Sequence, residues 1–204
     1  MSLSELVFPR RCAGCGRAGS VLCPQCRKEL GNAPFRVSTT VPTHVPVFAM
    51  GMYAGAHRGV ILEAKERLNL AVRPYVGAVL RSGLEFLIAR GDIEHDTVLV
   101  PAPTRKRNAR LRGGDPVAEY ARSSGFAVCE ALRLRSTSAD QSELSAAQRR
   151  RNLAGAVELV ASVPDLPIVV VDDVVTTGAT LAASVERLLA AGAQVRAAIA
   201  IAAA

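Results

Sequence analysis

The sequence predicts an α/β fold, a mostly parallel sheet flanked by helices, with a small four-cysteine module in front of it. Three observations carry this. Short aliphatic runs alternate with stretches of helical periodicity. The apolar run Ile168–Val171 ends in two adjacent acids, a Thr/Gly turn and a new helical pattern. Four of the five cysteines fall into two C-x-x-C turns close together. At 204 residues the chain suits one full domain with an appendage. Half of the residues are hydrophobic but only 4% are aromatic and Trp is absent, so the expected core is aliphatic.

The cysteine turns come first in the chain. Cys12-Ala13-Gly14-Cys15 and Cys23-Pro24-Gln25-Cys26 can each turn two thiolates toward one ion, and together they complete a tetrahedral set. Residues 1–31 are therefore read as a compact knuckle holding a structural Zn²⁺ through Cys12, Cys15, Cys23 and Cys26. Four thiolates leave no open coordination position, and so short a segment depends on metal for its folding. Cys129, in the apolar stretch Phe126–Leu132, is expected to be a buried core thiol.

Residues 32–54 read as a linker and edge strand: Gly31–Pro46 is rich in Pro, Thr and Val without a period, and Val47–Ala54 has strand character. A helix should begin near His57, with Val60, Ile61, Ala64 and Leu68 on one face. Pro74 suits the first turn of a second helix, which Gly91 ends. Thr97–Val100 is a short strand stopped by Pro101-Ala102-Pro103. Asp115-Pro116 forms a helix N-cap and first position ahead of Val117–Ser123. Gly125–Leu132 and Ala154–Val160 are strand-like, while Arg133–Arg151 between them is polar and arginine-rich. A helix over about Gly178–Ala191 and a final strand over Val195–Ile201 close the pattern.

The segment Ile168–Leu181 is the most informative. Open α/β sheets bind ligands beyond the carboxyl ends of their strands, where Asp172 and Asp173 should lie. The helix start after Gly178 offers free amides and positive potential to a phosphate, and Thr176, Thr177 and Thr180 add hydroxyl donors. Paired acids would oppose a bare phosphate. They suit a ligand that also carries hydroxyls and Mg²⁺.

This string resembles the signature by which type I phosphoribosyltransferases bind 5-phosphoribosyl-1-pyrophosphate (PRPP). The resemblance implies that Asp172 and Asp173 accept the ribose hydroxyls and that Val174, Val175, Thr176, Thr177, Gly178, Ala179 and Thr180 surround the 5-phosphate. Over nearly its whole length the chain is similar to the ComF/GntX family of competence-associated proteins. The matching features are the cysteine knuckle, Tyr53-Ala54-Gly55 with Arg58, Ile61 and Lys65, and Val100-Pro101-Ala102-Pro103. Arg112-Gly113, Gln141, Leu144, Arg149 and Arg151-Asn152-Leu153 follow, ahead of the PRPP loop. The family usually has an aromatic residue, Asn and Gln after Arg-Gly; here Gly114-Asp115-Pro116 follow Arg112-Gly113.

The resemblance makes residues 55–204 a phosphoribosyltransferase-like domain. It implies a pyrophosphate loop at Pro101-Ala102-Pro103, followed by the basic residues Arg105, Lys106, Arg107, Arg110 and Arg112; a solvated basic turn is the other reading. Arg133–Asn152 reads equally as a hood over the site or a basic surface loop. Arg58 and Lys65 either face the phosphate site or are solvated on an amphipathic helix. The implied reaction displaces pyrophosphate from ribose C1 with Mg²⁺ bound, passing the phosphoribosyl group to an acceptor. The alternative is an accessory role in DNA uptake, binding single-stranded DNA or a helicase partner. The excess of 25 basic over 18 acidic residues suits an anionic partner of either kind. Met1–Arg11 lacks the apolar run of a signal peptide, and the Ala-rich C-terminal stretch is broken by charges, so a cytoplasmic protein without membrane insertion is expected.

Overall fold

The run of β-branched residues at Ile168–Val171 forms the centre of a six-stranded sheet. The computed structural model describes residues 10–67, 69–104, 114–135 and 156–204. In chain order the strands are β1 (Phe35–Val37), β2 (Val47–Ala49), β3 (Val98–Pro101), β4 (Ala127–Val128), β5 (Leu132–Leu134), β6 (Val157–Leu159), β7 (Ile168–Val175) and β8 (Val195–Ala203). The helices are α1 (Pro24–Leu30), α2 (Gly55–Lys65), α3 (Arg73–Ala89), α4 (Pro116–Ser123) and α5 (Ala179–Leu189). The sheet order is β1-β2-β8-β7-β3-β4, and every pairing except β1 with β2 is parallel.

A parallel sheet must be covered on both faces, and two cores do this. Val169, Val171, Leu99, Ile199 and Ile201 pack with α2, α3 and α4 on one face. Ile168, Val170, Val100, Ala198 and Ala200 pack with Leu181, Val185 and Leu188 of α5 on the other. The knuckle shares the first core: Cys12, Leu22, Cys23, Cys26 and Leu30 are buried together with Val60 and Ile61. No helix among the described residues is long and apolar enough to cross a membrane.

Several expectations change. The stretch read as linker contains β1, which takes the sheet edge, so Val47–Ala49 lies inside the sheet between β1 and β8. The first helix starts at Gly55 rather than His57, with Ala54 as N-cap; Leu68 lies outside the described residues. Gly125–Leu132 is not one strand. β4 joins the main sheet, and β5 pairs instead with β6 in a separate antiparallel ladder. Cys129, between them, is only half-buried, and its thiol donates to the Ser162 carbonyl at 3.6 Å. Finally, β7 does not stop at the acids. It continues to Val175 because β8 runs on beside it, pairing Asp172 with Ala200 and Val175 with Ala203.

Candidate functional site

β7 lies between β3 and β8 with all three parallel, so the turns leaving β3 and β7 meet at one end of the sheet. There Asp172 and Val174–Leu181 line a small concavity. Val174 and Val175 are its strand part. Thr176 and Thr177 are exposed, and Gly178 is buried with φ +82°, a left-handed conformation that glycine adopts without strain. Gly178 is also the N-cap of α5, so the amides of the first helical turn lie beside the threonine hydroxyls, that of Ala179 donating to Thr177 Oγ1 at 3.4 Å.

The two acids have different surroundings. Asp172 is half-buried beside the concavity, and its Oδ1 accepts from the Asp173 amide at 2.8 Å. Asp173 is buried at 7% exposure, and its carboxylate forms an ion pair with Lys65 at the end of α2. Burial pushes the Asp172 carboxyl up to about 8; the adjacent Asp173 charge adds to this, and the Lys65 ammonium opposes it. A third acid joins them. Asp115 caps α4 by accepting from the Val117 amide at 3.0 Å and also accepts from the Thr104 hydroxyl at 3.2 Å. Burial raises its pKa, the Thr104 and backbone hydrogen bonds lower it, and the Asp173 charge raises it further. Asp173 and Asp115 thus both add to the upward push on Asp172 while Lys65 pairs with Asp173, an arrangement that added hydroxyl donors or a divalent cation would relieve.

The turn after β3 is held against the same place. Pro101 pairs with Val171, the Ala102 amide donates to the Val171 carbonyl at 2.7 Å, and Pro101, Ala102 and Pro103 are all buried. The Thr104–Asp115 hydrogen bond ties the two ends of the following segment together. Arg105, Lys106, Arg107, Arg110 and Arg112 lie outside the described residues, as do Gln141, Leu144, Arg149, Arg150, Arg151, Asn152 and Leu153. The segment holding the second group leaves β5 and returns through β6, where Arg133 pairs with Glu158 across the ladder. Of the two cations expected on α2, Lys65 reaches the acids. Arg58 is exposed near the other end of the helix, about 10 Å away along its axis at 1.5 Å per residue.

The cysteines converge. The Sγ atoms of Cys12, Cys15, Cys23 and Cys26 all lie within 4.8 Å of one another. Cys15 and Cys23 are 3.8 Å apart, matching the separation of about 3.8 Å that tetrahedral geometry gives for metal–sulfur bonds near 2.3 Å. Burial alone would raise the Cys12 thiol, but amides of Cys23, Cys15 and Gly14 hold it down to about 6. Burial pushes Cys26 strongly up, aided by the neighbouring thiols and the Cys12 charge. The donor set therefore fits one tetrahedral ion. Gly14 is required here, because a Cβ at that position would lie 2.6 Å from Cys26 Sγ.

Some contributing residues carry weak sequence signals. Asp115 reads only as a helix cap, and no spacing rule places it beside Asp173. Glu29 of α1 accepts from the Ala56 amide at 2.8 Å and so caps α2 from another element. Gly59 has no Cβ because one would meet the Gly14 carbonyl at 2.3 Å.

Residues 127–204 match the family model for the phosphoribosyl transferase domain. The match spans β4 to β8, including both β7 acids and the threonine turn. No curated protein matches the chain. The molecule is thus a mostly parallel α/β protein that carries a phosphoribosyl transferase domain, with a four-cysteine cluster near its N-terminus.

Proposed function

We propose that the chain binds PRPP with Mg²⁺ and transfers its phosphoribosyl group to an acceptor, releasing pyrophosphate. Within that class we place it with the ComF/GntX type, on its four-cysteine module and the Tyr53–Lys65 and Val100–Pro103 segments. The observation that carries the reading is the end of β7. Two carboxyls there precede a turn of threonines and a left-handed glycine, and a helix start follows at once.

On this reading the first-turn amides of α5 and the hydroxyls of Thr176, Thr177 and Thr180 hold the 5-phosphate. Asp172 accepts a ribose hydroxyl and, once ionised, stabilises the positive charge that develops at C1 as the leaving group departs. Asp173 reaches the second hydroxyl when the ligand shares it with Lys65. The buried turn Pro101-Ala102-Pro103 receives the pyrophosphate end. Mg²⁺ arriving with PRPP would offset the charge of the departing pyrophosphate, and Asp172, Asp173 and Asp115 would be the acids facing it. Catalysis of this kind relies on positioning and charge. Zn²⁺ at Cys12, Cys15, Cys23 and Cys26 is structural in this proposal.

The test is calorimetric titration of Mg-PRPP into wild-type protein and into the Asp172→Asn/Asp173→Asn variant. Binding to wild type with loss in the folded variant supports the reading. Equal binding by both refutes it.

A further inference from the structure

The phosphate turn is gripped from behind by the segment between β1 and β2. The Val41 amide donates to the Thr177 carbonyl at 2.9 Å, and the Thr40 hydroxyl donates to the same oxygen at 3.3 Å. Thr39 lies against Gly178, where an added Cβ would sit 2.7 Å from the Thr39 Cβ and Cγ2. Thr39 is itself fixed, its hydroxyl donating to the Val41 carbonyl at 2.7 Å. None of these three residues lines the concavity formed by Asp172 and Val174–Leu181, so the strap approaches the turn from the other side.

The consequence follows from peptide geometry. The Thr177 carbonyl and the Gly178 amide belong to one planar unit, and no peptide bond among the described residues is cis. In a trans peptide the C=O and N–H point in opposite directions. Holding the carbonyl toward the strap therefore turns the Gly178 N–H away from it, and Gly178 itself lines the concavity. That N–H donates to no acceptor among the described residues. The left-handed φ of Gly178 is the conformation that lets the chain make this reversal and enter α5.

We infer that Thr39, Thr40 and Val41 form a positioning strap that aims the Gly178 amide at a bound phosphate. The inference rests on the proposed function and adds to it a phosphate-site element supplied by the segment that follows the cysteine module. The strap does not touch the ligand. It presets the orientation of a donor that would otherwise have to be ordered on binding, and preorganised donors are the ones that contribute most to anion affinity.

The test uses full-length protein labelled with ¹⁵N and ¹³C, with inorganic phosphate and Mg-PRPP as probes. Thr40→Val removes one donor at nearly constant shape, Thr40→Ser restores it, and Val41→Pro removes the stronger donor. In ligand-free protein, Thr40→Val should shift the Thr177 carbonyl and Gly178 amide resonances, while Thr40→Ser should leave them near wild type. Mg-PRPP affinity should fall about threefold in Thr40→Val and about tenfold in Val41→Pro, the range of one lost hydrogen bond. Thr40→Ser should bind as wild type does. If wild type binds Mg-PRPP and Thr40→Val matches it with unmoved Gly178 resonances, the strap inference is wrong. If wild type binds neither probe, the proposed function itself fails and the inference falls with it. Thr40→Val decides the matter even if Val41→Pro does not fold.

Discussion

Replacing Lys65 with methionine tests the charge arrangement without any ligand. The substitution keeps most of the side-chain length and apolar contact but removes the only ammonium paired with Asp173 among the described residues. Breaking a fully buried ion pair by deleting one partner costs about 3–5 kcal/mol, because a charge is left stranded. Here the Lys65 side chain keeps 26% of its exposure and that of Asp173 11%, so water screens part of the loss. The expected cost is about 2–3 kcal/mol, or a fall of about 5–10 °C in Tm for a chain of this size. Asp173→Asn should cost less, about 1 kcal/mol, because the lysine left behind can reach water while the buried group becomes neutral. The Lys65 charge also opposes the upward shift of Asp172, so the variant raises that carboxyl further. A carboxyl raised in the folded state is protonated in both states at low pH. It destabilises the fold progressively as pH climbs from its ordinary value toward the folded one. The Lys65→Met deficit should therefore widen as pH rises above about 8, where Asp172 begins to ionise in the wild type but not in the variant. Urea unfolding from neutral pH to above that value provides the measurement. Wild-type stability in Lys65→Met at neutral pH, or an equal loss in Asp173→Asn, would refute the argument.

Further expectations concern the rest of the molecule. If ionised Asp172 receives the ribose, Mg-PRPP affinity should rise with pH up to about 8 and level off, with protons released on binding; calorimetry in buffers of different ionisation enthalpy reports this, and affinity that falls over the range contradicts it. Elemental analysis should find one zinc ion per chain, and a chelator should lower the Tm, since Cys12, Cys23 and Cys26 belong to the main core; a metal-free protein of unchanged Tm would exclude a structural ion. Gly178→Ala places a Cβ in a left-handed conformation and against Thr39, and should cost about 2 kcal/mol by denaturant unfolding.

Much of this architecture is legible because local signals and global fold agree. The apolar run at Ile168–Val171, the paired acids and the left-handed Gly178 mark the strand, site and helix start independently of tertiary contacts. Asp115-Pro116 marks a helix start for the same reason, and the cysteine spacing identifies its cluster. What the sequence hides is set by partners distant in the chain. Asp172 and Asp173 look like a strand terminus until β8 is seen to run alongside them as far as Ala203. Phe35–Val37 lacks strand periodicity because its residues are half or fully exposed at a sheet edge, where burial imposes no alternation. Cys129 looks like core because its neighbours are apolar, yet a break between β4 and β5 leaves it half-exposed. The strap is hidden for a similar reason. Thr39, Thr40 and Val41 read as linker because Thr40 and Val41 bond to Thr177 and Thr39 packs against Gly178, both far along the chain.

The cysteine module braces both parts of the site through contacts distant in the chain. α2 lies between the thiol cluster and the acids. Its N-terminus is capped by Glu29 of α1, Gly59 sits directly on the carbonyls of Ala13 and Gly14, and its last residue, Lys65, pairs with Asp173. Fixing one end of a helix this short fixes the other, because an α-helix is stiff over three turns. The strap leaves the same region by way of β1 and ends on the phosphate turn. Two routes therefore run from the cysteine module to the end of β7, one reaching the acids through a lysine and one reaching the turn through a carbonyl. A small segment without a core of its own can position both only if it is rigid; Cys12, Leu22, Cys23, Cys26 and Leu30 pack it into the main core, and a metal ion held by the four thiols would add to that.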